Sequence, residues 1–236
     1  MLVHHPYKSL GGADHGWLKS KHHFSFANYY NPKRMGFGTL RVVNDDWVRA
    51  GSGFPPHPHQ NMEIISYIRS GAITHQDSEG NKGVTKAGVI QVMSAGKGIV
   101  HSEYNLERSD LTFYQIWIET DQYNVQPRWE SSAFPTQASS TELSLLVSGF
   151  AEDHKRALFI NQQARIFGGV IKSSSEIEHQ ITHQAYILAA SGSFTISAQD
   201  RKISMSQGDG AEVTRTKCIT INAHSDSEIV IIDAPA

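Results

Sequence analysis

The chain of 236 residues is long enough for one large domain or two small ones, each able to bury its own core without disulfide bonds. Lysine and arginine together number 21 against 23 aspartates and glutamates, a formal net charge of −2, which argues against direct nucleic-acid binding. A single cysteine, no apolar run near the ~20 residues of a membrane span, and an opening MLVHHPYKSL without secretory-signal features together predict a cytoplasmic protein that avoids membranes.

The first informative stretch is GSGFPPHPHQNMEII, residues 51–65, which places two histidines one residue apart. Residues i and i+2 of a strand face the same side, so His57 and His59 can point into a barrel together and bind one ion. Pro58 between them argues against a fully paired central strand. The pair is therefore predicted to lie where a strand begins, at the mouth of a barrel.

Short segments rich in β-branched and aromatic residues then recur along the chain, separated by Gly, Asn, Asp or Ser clusters. Helical periodicity is almost absent. The pattern predicts an all-β protein built as a barrel or a sandwich. The segments are EIISYI, VIQVMS, LTFYQIWI, SLLVSGF, AYILAA, SFTISA, CITINA and EIVIID.

A second pair with the same spacing, His101 and Glu103, occurs in SAGKGIVHSEYN and also follows a glycine-rich turn. A lone histidine in a β-protein is usually a surface or hydrogen-bonded structural residue. Two such pairs on neighbouring strands would instead supply three nitrogens and one carboxylate oxygen to a metal ion. The remaining histidines lack a comparable partner and are expected to be ordinary; they are His4, His5, His15, His22, His23, His75, His154, His179, His183 and His224.

The polar stretch PRWESSAFPTQASSTEL, residues 127–143, separates two halves that resemble each other. ISYIRSGAITHQD in the first half is similar to AYILAASGSFTIS in the second, so that Gly71 matches Gly192 and Gly88 matches Gly208. We therefore expect an N-terminal metal-binding barrel over residues 1–130, a connection over 131–143, and a C-terminal barrel over 144–236.

The strings GSGFPPHPHQNME and GVIQVMSAGKGIVHSEYN resemble the two motifs of the cupin superfamily, and their detail resembles the pirin family. HHFSFANYYNPKRMGFGTLRVVNDDWV and THQDSEGNKGV are also similar to pirins, whose bacterial members include proteins with quercetin 2,3-dioxygenase activity. The resemblance is close over residues 15–119. It implies a bicupin, two jelly-roll-like β-barrels in one chain, with a metal ion held by His57, His59, His101 and Glu103.

The implied ion is iron, with manganese, nickel, cobalt, copper and zinc as alternatives. Glu63 competes with Glu103, because it occupies the spacing at which many cupins place their carboxylate ligand. Glu63 lies an even number of residues after His57 and is therefore expected to face inward as well. Glu103 is favoured as the ligand because it shares a segment with His101, and Glu63 is then a carboxylate beside the ligands.

The distances of the candidate ligands from Gly71 and Gly88 can be counted again from the matching glycines, Gly192 and Gly208, and they reach no ligand set in the second half. The positions of His57, His59 and Glu63 fall on Glu178, Gln180 and Gln184, and those of His101 and Glu103 fall on Ile221 and Ala223. The C-terminal barrel is therefore predicted to hold no metal.

Three functions remain open at this point. The resemblance implies a dioxygenase that cleaves a flavonol such as quercetin at the 2,3 bond and releases carbon monoxide, with Glu103 or Glu63 accepting the hydroxyl proton. Phe54, Met62, Ile65, Met93 and Trp117 are candidates for its pocket wall, although ordinary core is the simpler interpretation for most of them. The second function is a metal-dependent module that binds a protein partner, and the third is a structural zinc site.

Overall fold

The computed structural model describes residues 1–236, and its regular secondary structure is almost entirely β-strand, which confirms the all-β prediction. Two 3₁₀ helices, Tyr7–Ser9 and Ala151–Asp153, are the only helical segments, and neither is long and apolar enough to cross a membrane. The first twelve strands are β1 (Leu2–His5), β2 (Gly11–Asp14), β3 (Leu18–His22), β4 (Leu40–Val48), β5 (Gly53–His59), β6 (Met62–Ser70), β7 (Ala72–Asp77), β8 (Lys82–Lys86), β9 (Val89–Ser94), β10 (Ile99–Tyr104), β11 (Leu111–Glu119) and β12 (Arg128–Ala133).

The remaining strands follow after the polar stretch. They are β13 (Ser144–Ser148), β14 (Leu158–Phe159), β15 (Arg165–Ile171), β16 (Glu176–Gln180), β17 (Gln184–Ala189), β18 (Ser193–Ala198), β19 (Arg201–Ser206), β20 (Gly210–Val213), β21 (Cys218–Ala223) and β22 (Ser227–Ala234).

The chain divides into two compact units. The first, here called the N-terminal barrel, comprises Gly11–Ala133 and Leu158–Gln162. Its two antiparallel sheets have the strand orders β12-β9-β6-β11-β4-β3-β2 and β5-β10-β7-β8. The second unit, the C-terminal barrel, comprises Met1–Leu10, Phe134–Ala157 and Gln163–Ala236. Its sheets have the orders β1-β20-β17-β22-β15-β13 and β16-β21-β18-β19.

These units differ from the boundaries expected from the sequence, 1–130, 131–143 and 144–236, in three places. Strand β1 pairs with β20, so the first residues of the chain belong to the C-terminal barrel. Strand β12 continues into the expected connection, as far as Ala133, and Leu158–Gln162 belongs to the N-terminal barrel. The sequence of a four-residue strand such as β1 does not indicate which sheet the strand joins, because that depends on backbone pairing with a distant segment.

The strand orders support the internal repeat. β6 to β11 of the N-terminal barrel occupy the same relative places as β17 to β22 of the C-terminal barrel, and β1 takes the place of β12. Gly71 and Gly192 form the matching turns with φ of 73° and 76°, and Gly88 and Gly208 do so with φ of 79° and 85°. These left-handed conformations favour glycine, which explains why the turn residues carry the clearest part of the repeat.

The interiors of the two barrels differ. A continuous apolar cluster fills the C-terminal barrel, with isoleucines such as Ile196, Ile219 and Ile221 among its buried members. The N-terminal barrel instead has two smaller apolar clusters, one around Ile68 and Phe113 and the other around Met93. Buried polar side chains, including histidines and carboxyl groups, occupy other parts of its inner surface.

Candidate metal centre

Strand β5 presents His57 and His59, and β10 presents His101 directly opposite His57. β5 is the edge strand of its sheet, so the missing amide hydrogen of Pro58 breaks no required ladder bond. The β5–β10 pairing shifts register between His101 and Glu103, and the extra residue lies on β5, because Glu103 pairs with Phe54. Strand β10 itself stays in regular register with β7. The two sequence pairs therefore meet on adjacent strands, as their spacing predicted.

The rings of His57, His59 and His101 form one cluster. Their centroids lie 4.8 Å apart for His57 and His59, 4.5 Å for His57 and His101, and 5.0 Å for His59 and His101. One nitrogen from each ring lies within 4.8 Å of the others. His57 Nδ1 lies 2.8 Å from the Pro55 carbonyl oxygen, and because a carbonyl only accepts, Nδ1 carries the hydrogen and Nε2 keeps a free lone pair.

The buried nitrogens of His101 show that the cluster fits a metal ion. His101 is 3% exposed, and neither Nδ1 nor Nε2 has a hydrogen-bond partner. Burial, together with the positive charge of neighbouring imidazoles, lowers the pKa of His101 to about 2, and burial lowers the pKa of His59 to about 4. Both rings are therefore neutral near pH 7, the state in which imidazole binds a metal.

Glu103 belongs to a second group that shares His101 with the first. The ligand atoms of Glu103, His101 and His75 lie within 4.8 Å of one another, and all three residues are buried. Gln91 Nε2 donates to Glu103 Oε1 at 2.6 Å, and Thr85 Oγ1 donates to Gln91 Oε1 at 2.6 Å. Burial raises the pKa of Glu103 to about 7 in the chain without metal. The carboxyl group is thus held in a fixed orientation beside His101.

His75 is a site residue that the sequence reasoning missed. Its ring stacks on Trp129 with centroids 5.0 Å apart and an angle of 9° between the planes. Nε2 lies 2.9 Å from Asp77 Oδ2, and Nδ1 is buried without a partner. The signal was present as a third i, i+2 pair, His75 and Asp77 in THQD, but it lacks the glycine-rich turn that marked the other two pairs.

The structure does not bring Glu63 into either group, and the expected inward orientation is wrong. Asn61, with φ of 50°, lies in the turn between β5 and β6 and interrupts the extended backbone. The alternation of side chains between the two faces, counted from His57, therefore does not continue into β6. Glu63 accepts a hydrogen bond from Ser94 Oγ at 2.6 Å and one from Asn161 Nδ2 at 3.1 Å. It lies on the opposite face of β6 from Ser66, which contacts Gln91 in the barrel interior.

A cavity of about 300 Å³ opens beside the histidine cluster, with His57 and His59 in its wall. Phe54 and Trp117, two of the expected pocket residues, also line it, together with Phe26. The other three expected residues do not. Met62 and Met93 pack in an apolar cluster with Trp117, and Ile65 alternates to the opposite face of β6.

Strand pairing corrects the correspondence between the two barrels. His75 and Ile196 each lie four residues after the matching glycines; His75 pairs with Glu103, and Ile196 pairs with Ile221. Two residues earlier on β10 and β21, His101 pairs with His57, and Ile219 pairs with His179. The counterparts of the N-terminal group are therefore His179, Ile196, Ile219 and Ile221. The offsets that pointed to Glu178, Gln180 and Ala223 were wrong for two reasons: the chain is one residue shorter from His179 to Gly192 than from His57 to Gly71, and two residues shorter from Gly208 to Ile219 than from Gly88 to His101.

Comparison with known proteins gives consistent results for both barrels. Residues 3–118 match the family model described as Pirin, and residues 145–234 match that described as Quercetinase C-terminal cupin domain. A pirin-like protein of Caulobacter vibrioides is 46% identical over 236 residues, which cover 99% of this chain and 100% of that protein. The chain belongs to the pirin family. The sequence-based assignment to this family and the bicupin fold are thereby confirmed.

Two further pirin-family relatives bear on the site. A protein of Escherichia coli K12 named quercetin 2,3-dioxygenase is 41% identical over 228 residues, covering 95% of each chain. The crystal structure of the bacterial pirin YhhW from Escherichia coli in complex with nickel(II) has a TM-score of 0.91 and 39% identity, covering 100% of this chain and 99% of that one.

Proposed function

We propose that this pirin is a metal-dependent dioxygenase that cleaves flavonols such as quercetin at the 2,3 bond and releases carbon monoxide. The observation that carries the proposal is the cluster of three imidazoles, in which both His101 nitrogens are unpartnered and His57 and His59 line a largely apolar cavity. The name of the Escherichia coli relative supports the choice of substrate and of dioxygen as co-substrate.

His57, His59, His101 and Glu103 would hold one divalent ion, iron first, with manganese, nickel, cobalt, copper and zinc as alternatives. Three neutral nitrogens and one carboxylate leave such an ion with a net charge of about +1. When bound, the ion would supply two things: positive charge, which lowers the pKa of a coordinated hydroxyl group, and reactivity toward dioxygen.

The side chains of the site each have a role in this reaction. The Pro55 carbonyl oxygen fixes the tautomer of His57, and Gln91 fixes the orientation of Glu103. Glu103 is the proposed acceptor of the proton from the 3-hydroxyl group of the flavonol. Glu63, proposed from the sequence as an alternative acceptor, is bonded to Ser94 and Asn161 instead, so we assign it a structural role.

The test is flavonol turnover under air by protein that has been stripped of metal and reloaded with each of the six metals in turn. Quercetin loss is expected to require metal, to consume oxygen one-to-one and to release carbon monoxide. The 3-O-methyl analogue, which has no proton to lose, is the matched negative control.

If fully metal-loaded protein leaves quercetin unchanged with each of the six metals, the proposed dioxygenase activity is refuted. Binding of a cellular protein by the metal-loaded form alone would then favour the regulatory module. The cytoplasmic location stays a prediction from the sequence.

A further inference from the structure

A row of polar side chains crosses the cavity wall on three neighbouring strands of the N-terminal barrel. Ser20 of β3 lies directly opposite Asp46 of β4. His22, Asn44 and Gln115 lie opposite one another across β3, β4 and β11. All five side chains line the cavity that contains His57 and His59. We call these five residues the polar row; none of them belongs to the metal groups.

The hydrogen bonds of the polar row fix where its protons lie. His22 Nδ1 is 2.8 Å from Asn44 Oδ1, an oxygen that only accepts, so the ring carries its hydrogen on Nδ1. Ser20 Oγ lies 3.2 Å from the same nitrogen and therefore accepts there, which leaves its hydroxyl hydrogen for the carboxyl group of Asp46. Burial lowers the pKa of His22, so its Nε2 remains an acceptor.

Asp46 is the member of the row with an unmet hydrogen bond. It is 2% exposed, and its Oδ1 has no partner. Desolvation raises the pKa of Asp46 to about 7. A buried carboxyl oxygen without a donor is unfavourable, and a ligand that brings a donor relieves that penalty.

The rest of the cavity excludes several classes of ligand. Phe26, Phe54 and Trp117 contribute aromatic rings to the cavity wall, and Leu18 adds apolar surface, which together suit a planar aromatic ring. No lysine or arginine lines the cavity, so apart from the proposed metal ion it offers no cation to a phosphate or carboxylate. Apolar walls with unpaired acceptors instead match a ring that carries phenolic hydroxyl groups.

We propose that Asp46 determines substrate specificity by binding a phenolic hydroxyl group remote from the one that reaches the histidine cluster. The inference rests on the proposed function for the identity of the flavonol, but the contact itself is a binding event that does not require turnover. The ligand class is a planar aromatic with at least two separated hydroxyl groups. A flavonol with only the 3-hydroxyl group would leave Asp46 Oδ1 unpaired.

The experiment compares the dissociation constants of quercetin and 3-hydroxyflavone without oxygen, measured by quenching of tryptophan fluorescence, because Trp117 lines the cavity. Each is measured on metal-free and on metal-loaded protein. Wild-type protein is expected to bind quercetin about 10-fold more tightly or better, which corresponds to about 1.4 kcal/mol. Asp46→Ala should bring the ratio close to one, and Asp46→Asn, which keeps an oxygen acceptor, should retain part of it.

Asp45→Asn is the matched control. Asp45 is the next residue on β4 and faces the other way, toward an ion pair with Arg69, so its loss should leave the ratio unchanged. The same ratio in wild type and in both Asp46 variants overturns the inference, as does a wild-type ratio near one. If the ratio depends on Asp46 but no metal supports flavonol turnover, the proposed function fails and the assignment of Asp46 stands.

Discussion

Replacing His101 by isoleucine tests the metal centre through stability. Isoleucine is the residue that the C-terminal barrel has at the matching position, Ile219, where it packs in a continuous apolar cluster. In the metal-free protein, His101 buries two nitrogens without partners, and an unmet buried hydrogen-bonding group costs about 1–3 kcal/mol. We therefore expect metal-free His101→Ile to fold and to be more stable than metal-free wild type by about 1–3 kcal/mol.

Metal should reverse or abolish this difference. An ion at 100 times its dissociation constant stabilises the protein that binds it by about 2.7 kcal/mol. The variant lacks the imidazole shared by both groups of candidate ligands, so its stability should rise by less than about 1 kcal/mol at the same metal concentration.

The assay is chemical denaturation with chelator and with metal, followed by circular dichroism, with the bound metal measured separately. Two barrels can give two transitions, and each is then fitted by itself. The matched control is His179→Ile, because His179 is also buried with an unpartnered Nε2 but lies in the C-terminal barrel. That variant should gain stability and keep the full response to metal.

Two results would refute the reasoning. A metal-induced shift in His101→Ile as large as in wild type would show that His101 is not a ligand. A loss of stability in the metal-free variant would show that the His101 nitrogens are already satisfied in solution or that the site rejects an isoleucine.

Three further predictions concern other side chains. Glu103→Gln should weaken metal binding, measured by equilibrium dialysis, by more than the roughly 10- to 100-fold typical of residues that only support ligands. Glu63→Gln should change metal binding little, and the opposite order of effects would exchange the roles of the two residues. Asp77→Asn releases the ring of His75, which is not one of the four proposed ligands but lies in one group with two of them, His101 and Glu103. Metal affinity should therefore fall about 10-fold, and an unchanged affinity would make the pair purely structural. Burial lowers the pKa of His179 from 6.5 to about 4, so its neutral form stabilises the fold above pH 6.5, and up to about 3 kcal/mol is lost as the pH falls to 4. His179→Ile should lose correspondingly less stability between pH 7 and pH 4, and a parallel loss would contradict this assignment.

The histidine cluster could be predicted because its information is local. His57 and His59, like His101 and Glu103, are two residues apart on one strand, and alternation alone puts each pair on one face. The same reasoning failed for Glu63, because Asn61, whose φ is positive, lies between His57 and Glu63 and interrupts the alternation. Parity predicts orientation only within an uninterrupted strand.

The polar row could not be predicted from the sequence. Ser20 and His22 lie on one strand, Asn44 and Asp46 on the next, and Gln115 on a strand about 70 residues further along the chain. Only the register of β3, β4 and β11 brings them together, and each residue by itself resembles an ordinary polar strand position. The place of β1 is similar, because the β20 edge that it covers lies more than 200 residues away.

The two barrels share one frame but differ at a few inward positions of the proposed metal site. Their strand orders agree and their turn glycines match, yet His57, His75, His101 and Glu103 correspond to His179, Ile196, Ile219 and Ile221. Three exchanges turn a polar group into isoleucine and join the interior into one apolar cluster, in which the remaining histidine packs edge-on against Phe167. A single imidazole without partners cannot hold an ion against water, whereas the N-terminal set presents several nitrogens that the fold leaves unpaired. The two barrels therefore share a backbone frame, and the proposed metal site depends on inward side chains of the N-terminal barrel, with His59 as well as these positions.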